Sequence, residues 1–208
     1  MLTKLQEKIQ QDINSNSDTL QVFIGARRTG RTLTLCDLAI KTCEATPGAV
    51  VAYVVPRSMS IKRLIVPVMK TLNINAEYRV ADKEYVFENG SKIVFSGSDN
   101  GATEDLRGLS FNLAIVDNAG YCDTLTYLVR SILTPAVRVQ KGKIILSCIL
   151  PKNRSHEFVT EFVLPFLLKG KVKTYSIYDS ELSAKEIQDI KQDYTPDEFS
   201  REFECCYG

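Results

Sequence analysis

Gln21-Val22-Phe23-Ile24-Gly25-Ala26-Arg27-Arg28-Thr29-Gly30-Arg31-Thr32 passes from an apolar run into a glycine and, after four intervening residues, into Gly30, a basic residue and a threonine. This is the spacing of a phosphate-binding loop set between a strand and a helix, with Arg31 where lysine is expected. Such a loop wraps backbone N–H groups around a nucleotide's phosphates at a helix N-terminus. Gly25 and Gly30 open backbone conformations closed to other residues. Gly25, Ala26, Arg27, Arg28, Thr29, Gly30, Arg31 and Thr32 are therefore the candidate nucleotide-binding residues. Thr32 opens the helix and can place its hydroxyl on Mg²⁺, while Arg27, Arg28 and Arg31 put three cations into one loop.

A second element lies at Leu113-Ala114-Ile115-Val116-Asp117-Asn118-Ala119. A buried strand ending in aspartate is where an ATPase with this loop places its second magnesium group, so Asp117 joins Thr32 as a candidate metal residue. The next position normally carries the glutamate that orients and deprotonates the attacking water. Here it is Asn118, whose amide can hydrogen-bond a water but cannot take its proton at neutral pH. Glu104 and Asp123 are the substitutes suggested by nearness in sequence. A third element, Ile144-Ile145-Leu146-Ser147-Cys148, is a buried strand ending at a hydroxyl, Ser147, that could sense the γ-phosphate. It reads equally as a core strand with a tolerated serine. In a fourth, Glu104-Asp105-Leu106-Arg107-Gly108-Leu109-Ser110, Arg107 could reach a phosphate of its own or a neighbouring site.

Around these elements, apolar strands are expected at 20–24, 49–55, 112–116, 143–149 and 172–177, alternating with helices at 32–43, 58–72, 123–138 and 155–168. Pro67 is expected to kink the helix at 58–72 or delay its start, and Pro135 to interrupt the helix at 123–138. Residues 3–14 form an amphipathic helix with Leu5, Ile9 and Ile13 on one face. Short strands lie at 78–80, 84–88 and 92–96, with a hairpin at Asn89-Gly90. Residues 97–110 read as a polar loop. Helices at 183–192 and 196–204 close the chain, the second with Thr195 as N-cap and Pro196 at its first position. The alternation predicts an α/β domain with a mostly parallel sheet covered on both faces. It is read as a single ATPase domain over 1–208, with an N-terminal helix in 1–19, a nucleotide-binding core over 20–178 and a helical tail over 179–208.

Composition narrows the function classes. With 26 basic and 25 acidic residues the net charge is +1, so nucleic acid must be gripped by a local patch or by patches pooled between subunits. No apolar run approaches the roughly 20 residues of a membrane span, and the N-terminus is too polar for a signal peptide. The six cysteines show no C-x-x-C spacing and read as reduced, mostly buried thiols.

Taken together, the order of these elements resembles the ATPase domain of the large terminase subunit, the DNA-packaging motor of tailed bacteriophages. The resemblance is carried by residues 25–32, by Gly90-Ser91-Lys92-Ile93-Val94-Phe95-Ser96-Gly97, by Leu106-Arg107-Gly108-Leu109-Ser110-Phe111-Asn112-Leu113-Ala114-Ile115-Val116-Asp117, and by Ile144–Ser147 with Pro151. It covers residues 20–151. Arginine at Arg27 or Arg28 is typical of that family's variant loop, and the pair Arg107-Gly108 is the most specific mark. The resemblance implies a P-loop NTPase fold of the ASCE (RecA-like) kind, with ATP and Mg²⁺ as cofactors. It implies ATP hydrolysis that drives double-stranded DNA into a procapsid, with Arg27, Arg31, Arg107, Asn118 and Ser147 at the catalytic centre. Implied partners are the portal protein, the small terminase subunit and further copies of the chain, in a pentameric ring assembled from monomers. The implied location is the cytoplasm of an infected bacterium. The family's C-terminal nuclease domain is not expected within these 208 residues. Arg31 and Asn118 depart from the family pattern and imply impaired turnover by the isolated domain. The alternative is a degenerate loop that binds nucleotide or DNA without efficient turnover.

Overall fold

The computed structural model describes residues 2–208; Met1, the first residue of the expected N-terminal segment, lies outside the described residues. Eight strands form one sheet: β1 (Leu20–Gly25), β2 (Val50–Val55), β3 (Ala76–Arg79), β4 (Glu84–Phe87), β5 (Lys92–Gly97), β6 (Leu113–Asp117), β7 (Lys143–Cys148) and β8 (Val172–Tyr175). Their order is β3-β4-β5-β2-β6-β7-β1-β8. The run from β5 to β8 is parallel, and the pairs β3–β4 and β4–β5 at one edge are antiparallel. This is the P-loop NTPase fold.

The core strands are apolar throughout because both faces of the sheet are covered. Side chains alternate between two apolar layers. Val22, Ile24, Ala52, Val54, Ala114, Val116, Ile144 and Leu146 face one layer, and Phe23, Val51, Tyr53, Ile115 and Ile145 face the other. The second layer is completed by α1 (Lys4–Ser15) and α2 (Arg31–Ala45) through Leu5, Ile9, Leu35 and Ala39. A third, small cluster of Ile177, Phe199 and Phe203 holds the tail helices Ala184–Gln192 and Pro196–Phe203 together.

Three proline-bearing helices share one irregularity. The helix over 58–71 runs without a break, but its turn Ile61–Ile65 is π-helical, two residues ahead of Pro67. The same happens at Leu128–Leu133 ahead of Pro135 and at Phe158–Val163 ahead of Pro165. A proline has no N–H for the carbonyl one turn back and its ring crowds that carbonyl; a widened turn relieves both without ending the helix. The helix begins at Ser58, so the late start expected from Pro67 is not found, and a π turn stands ahead of the proline. Within the polar stretch 97–110, Ala102–Leu106 forms a 3₁₀ turn. Asn89-Gly90 makes the expected reversal between β4 and β5, with Gly90 at φ 81°. Among the described residues no helix is long and apolar enough to cross a membrane.

Candidate functional site

In a parallel α/β sheet the crevice beyond the carboxyl ends of the strands is where ligands bind. Here the parallel strands bring Gly25, Val55, Asp117 and Cys148 to one edge. In the register, Ser147 pairs with Asp117 on one side and Phe23 on the other, so β7 lies between the strand that feeds the loop and the strand that ends in aspartate.

The loop itself is held from below. Ala26 N–H donates to the Tyr175 carbonyl at 2.8 Å, and the Thr29 hydroxyl donates to the Ala26 carbonyl at 2.7 Å. Gly30 sits at φ 70° as the residue before α2, in the left-handed region that favours glycine. A side chain there would run into Gln6 of α1, which packs against the turn. Three other α-helices carry a side-chain capping box, at Thr3, Ser183 and Thr195, whereas the start of α2 receives no side-chain cap. Its first N–H groups, with the positive end of the helix dipole, are left for an anion.

Arg31 does not point to solvent. Its Nη1 donates to the Gly25 carbonyl and its Nη2 donates to Asn118 Oδ1 at 2.9 Å. Gly25 makes room for this path, because a Cβ there would lie 2.5 Å from Arg31 Cδ. The buried Arg31 Nε has no hydrogen-bond partner. Arg27, Arg31, Asn118, Tyr121, Ser60 and Leu64 line an open cleft of about 300 Å³.

Beneath the loop, the Thr32 hydroxyl donates to Asp117 Oδ2 at 2.7 Å, and the Tyr53 hydroxyl donates to the same oxygen at 3.2 Å. Burial, with the Asp117 carboxylate adding to it, holds the Tyr53 phenol well above its ordinary pKa. Asp117 is fully buried, yet Oδ1 has no partner, and neither does the buried Ser147 hydroxyl beside it. Leaving such groups bare costs about 1–3 kcal/mol each, more for a charge. The pair of Thr32 and Asp117, with an idle carboxylate oxygen, fits Mg²⁺, which takes one or two protein oxygens and completes its shell with phosphates and water. Among the described residues no three or more His, Cys, Asp or Glu side chains are grouped to hold a metal by themselves.

Arg31, Thr32, Asp117, Asn118 and Ser147 are thus brought together, with Arg27 at the rim. Arg28, at φ 69°, does not line that cleft but an adjoining cavity, with Arg27, Tyr194 and Phe203. Arg107 is not brought to the cleft. It is half-exposed and lines a different surface hollow with Gly108, Ser131 and Pro135. There its guanidinium pairs with Glu104 and lies 5.5 Å from the centre of the Tyr127 ring. Hydrogen bonds from Tyr127 and Arg107 lower the Glu104 pKa. Neither Glu104 nor the exposed Asp123 lines the cleft of Arg31 and Asn118. The sequence reading missed Tyr53, a core-strand residue with no motif around it, and Glu202, a tail residue that pairs with Arg27.

The fold has structural counterparts. The large terminase of a thermophilic bacteriophage, in its complex with ADP, superposes with a TM-score of 0.80 at 15% identity, over 99% of this chain and 53% of that one. The ATPase domain of the Thermus phage P74-26 large terminase matches with a TM-score of 0.67 at 14% identity, over 100% of this chain and 94% of that domain. This is the fold of the large terminase ATPase domains. The HK97 bacteriophage large terminase agrees, with a TM-score of 0.66 at 15% identity, over 97% of this chain and 46% of that one. The chain spans about half the length of the thermophilic bacteriophage terminase. That terminase has also been solved with ATP-γ-S. No protein-family model matches the chain, and no curated protein matches it by sequence.

Proposed function

We propose that the chain is the ATP-binding and hydrolysing motor domain of a DNA-packaging terminase, which translocates double-stranded DNA into a procapsid. The observation that carries this reading is the meeting of an uncapped helix start, Arg31, Thr32 and a buried, half-satisfied Asp117 at one sheet edge. The nucleotide complexes of the thermophilic bacteriophage terminase, which has the same fold, support ATP as the ligand.

The loop amides and α2 hold the β- and γ-phosphates, and Arg31 and Arg27 neutralise their charge. Thr32 and Asp117 hold Mg²⁺, which when bound draws negative charge from the phosphate oxygens. Ser147 stands beside Asp117, where its hydroxyl can bond a γ-phosphate oxygen or a water. Asn118 orients the attacking water through its amide without taking the proton. Arg107, set away from its own cleft, serves the site of a neighbouring copy in a ring. Portal protein and small terminase subunit are the remaining partners, in the cytoplasm of an infected bacterium. Calorimetry with Mg-ATP, ADP and a non-hydrolysable analogue tests the reading; absence of binding at millimolar ligand sinks it.

A second reading is favoured by one observation. Asn118 Oδ1 accepts from Arg31, so the amide oxygen is already engaged, and among the described residues no carboxylate lines the cleft. On this reading the loop binds nucleotide without efficient turnover. Steady phosphate release by the unmutated chain would exclude it.

A further inference from the structure

The tail reaches the phosphate loop through one residue. Arg27 N–H donates to the Glu202 carbonyl at 2.9 Å, and the Arg27 guanidinium forms an ion pair with the Glu202 carboxylate. The Glu202 side chain is only 13% exposed and its second oxygen accepts from Arg201 Nη2 at 2.8 Å. Arg201 is anchored in turn, donating to the Leu150 carbonyl at 3.2 Å. Arg27 itself lines the cleft that Arg31 and Asn118 share. The hydrogen bond to Glu202 raises the Arg27 pKa, in keeping with a firmly held pair. The tail helices pack around a small apolar cluster of Ile177, Phe199 and Phe203, while Cys205 and Tyr207 pack against the main core, so the loop contact is one of several ties between the tail and the sheet.

We propose that Glu202 is a built-in counter-ion of the phosphate loop: it occupies Arg27 while the loop is empty and yields it to the polyphosphate of a bound nucleotide. The proposal rests on the nucleotide-binding reading above and makes Glu202 a positioning residue that acts through Arg27. A guanidinium can fork onto one anionic group well, and a polyphosphate concentrates more negative charge than one carboxylate. When Arg27 leaves, Glu202 is not stranded, because Arg201 remains beside it; an uncompensated buried charge would otherwise forbid the exchange. The free energy of the Arg27–Glu202 pair therefore opposes nucleotide binding, and binding loosens the hold of the tail.

The test is calorimetric titration of the full chain with inorganic tripolyphosphate and with ADP. Glu202→Gln keeps the shape and the backbone acceptor but removes the charge, and is expected to bind both ligands about 5- to 10-fold more tightly, within the usual range of coupling between sites. In an Arg27→Ala background the same change is expected to add nothing. Unchanged or weaker binding by E202Q, or an equal gain with Arg27 absent, overturns the proposal. If neither the unmutated chain nor E202Q binds either ligand, the nucleotide reading falls with it; if the unmutated chain binds and E202Q binds no better, this inference falls alone. Hydrogen exchange of the unmutated chain needs no variant: saturating ADP is expected to speed exchange over residues 196–206, and unaltered exchange there counts against Glu202 release.

Discussion

Arg31 Nη2 lies 2.9 Å from Asn118 Oδ1, so the basic residue of the phosphate loop and the residue after the strand-end aspartate are bonded to each other across the sheet edge. Both are the positions at which the sequence departs from the usual pattern. An arginine reaches the far side of the cleft where a lysine's single ammonium would serve one acceptor. An amide accepts that bond without demanding the full charge pairing a carboxylate would impose.

Asn118→Glu is therefore expected to do two things. It supplies a carboxylate beside the cleft, and general-base catalysis contributes about 10²–10⁴-fold where it operates. It also draws Arg31 into an ion pair. Phosphate release should rise by about 100-fold or more, the lower end of that range. A rise from a silent parent favours the non-hydrolysing reading of the natural chain. Glu104→Gln and Asp123→Asn are expected to leave release by the isolated chain unaltered, since neither residue lines the cleft; a loss in either would return it to the candidate bases.

Arg31→Lys and Arg31→Ala should separate reach from charge. Lysine keeps a cation in the loop but cannot span from the Gly25 carbonyl to Asn118. Hydrogen bonds to charged groups contribute about 1.5–3 kcal/mol, so alanine is expected to weaken ADP binding by roughly 10- to 100-fold, and lysine by much less. Calorimetric affinities of the two variants check this. Equal losses would show that the fork geometry, not the charge, is what the phosphates require.

Asp117→Asn addresses the metal. Thr32 and Tyr53 both donate to Oδ2, and the idle Oδ1 is the group that the proposed function assigns to Mg²⁺. The variant is expected to bind ADP with the same affinity in Mg²⁺ and in EDTA, whereas the unmutated chain binds more tightly with Mg²⁺. Persistence of the Mg²⁺ dependence in the variant would remove Asp117 from the metal site.

The cysteines make a prediction about pH. Burial is the main cause that pushes Cys36, Cys43, Cys122, Cys148 and Cys205 from the ordinary thiol value of 9.0 up to about 12. Cys206 is exposed. One thiol per chain should react with a thiol reagent in the folded protein, against six after denaturation. Because the folded values are raised, the folded state binds more protons than the unfolded one between pH 9 and about 12. The thiol contribution to stability is complete below pH 9 and is lost as pH climbs toward 12. Denaturant midpoints measured across that range should fall steadily; a flat profile would contradict the burial.

How much of this was legible beforehand differs by element. The loop, the aspartate strand and the serine strand could each be read from apolar runs ending in a small or polar residue, because a strand buried on both faces has little other way to be written. Their meeting at one edge followed from the parallel reading alone. The proline-bearing helices were legible as helices, but the π turns were not, since a pattern of residue types does not distinguish ending a helix from widening it. Arg107 looked close to the site because it stands ten positions before Asp117. The first four residues of β6 intervene, and at about 3.3 Å per step they carry the chain roughly 13 Å from Leu113 to the aspartate.

The sequence by itself was enough for the alternation of strands and helices around a mostly parallel sheet and for the glycine loop between β1 and α2, because each depends on local periodicity and on which residues can adopt a given turn. Only the tertiary structure could pair Arg31 with Asn118, set Tyr53 under Asp117, carry Arg107 away from the cleft and bring Glu202 of the tail onto Arg27. Those partners lie between 64 and 175 positions apart where they pair. Charge and hydrogen-bond capacity are written residue by residue, but which two meet is settled by the register of strands and the packing of helices between them.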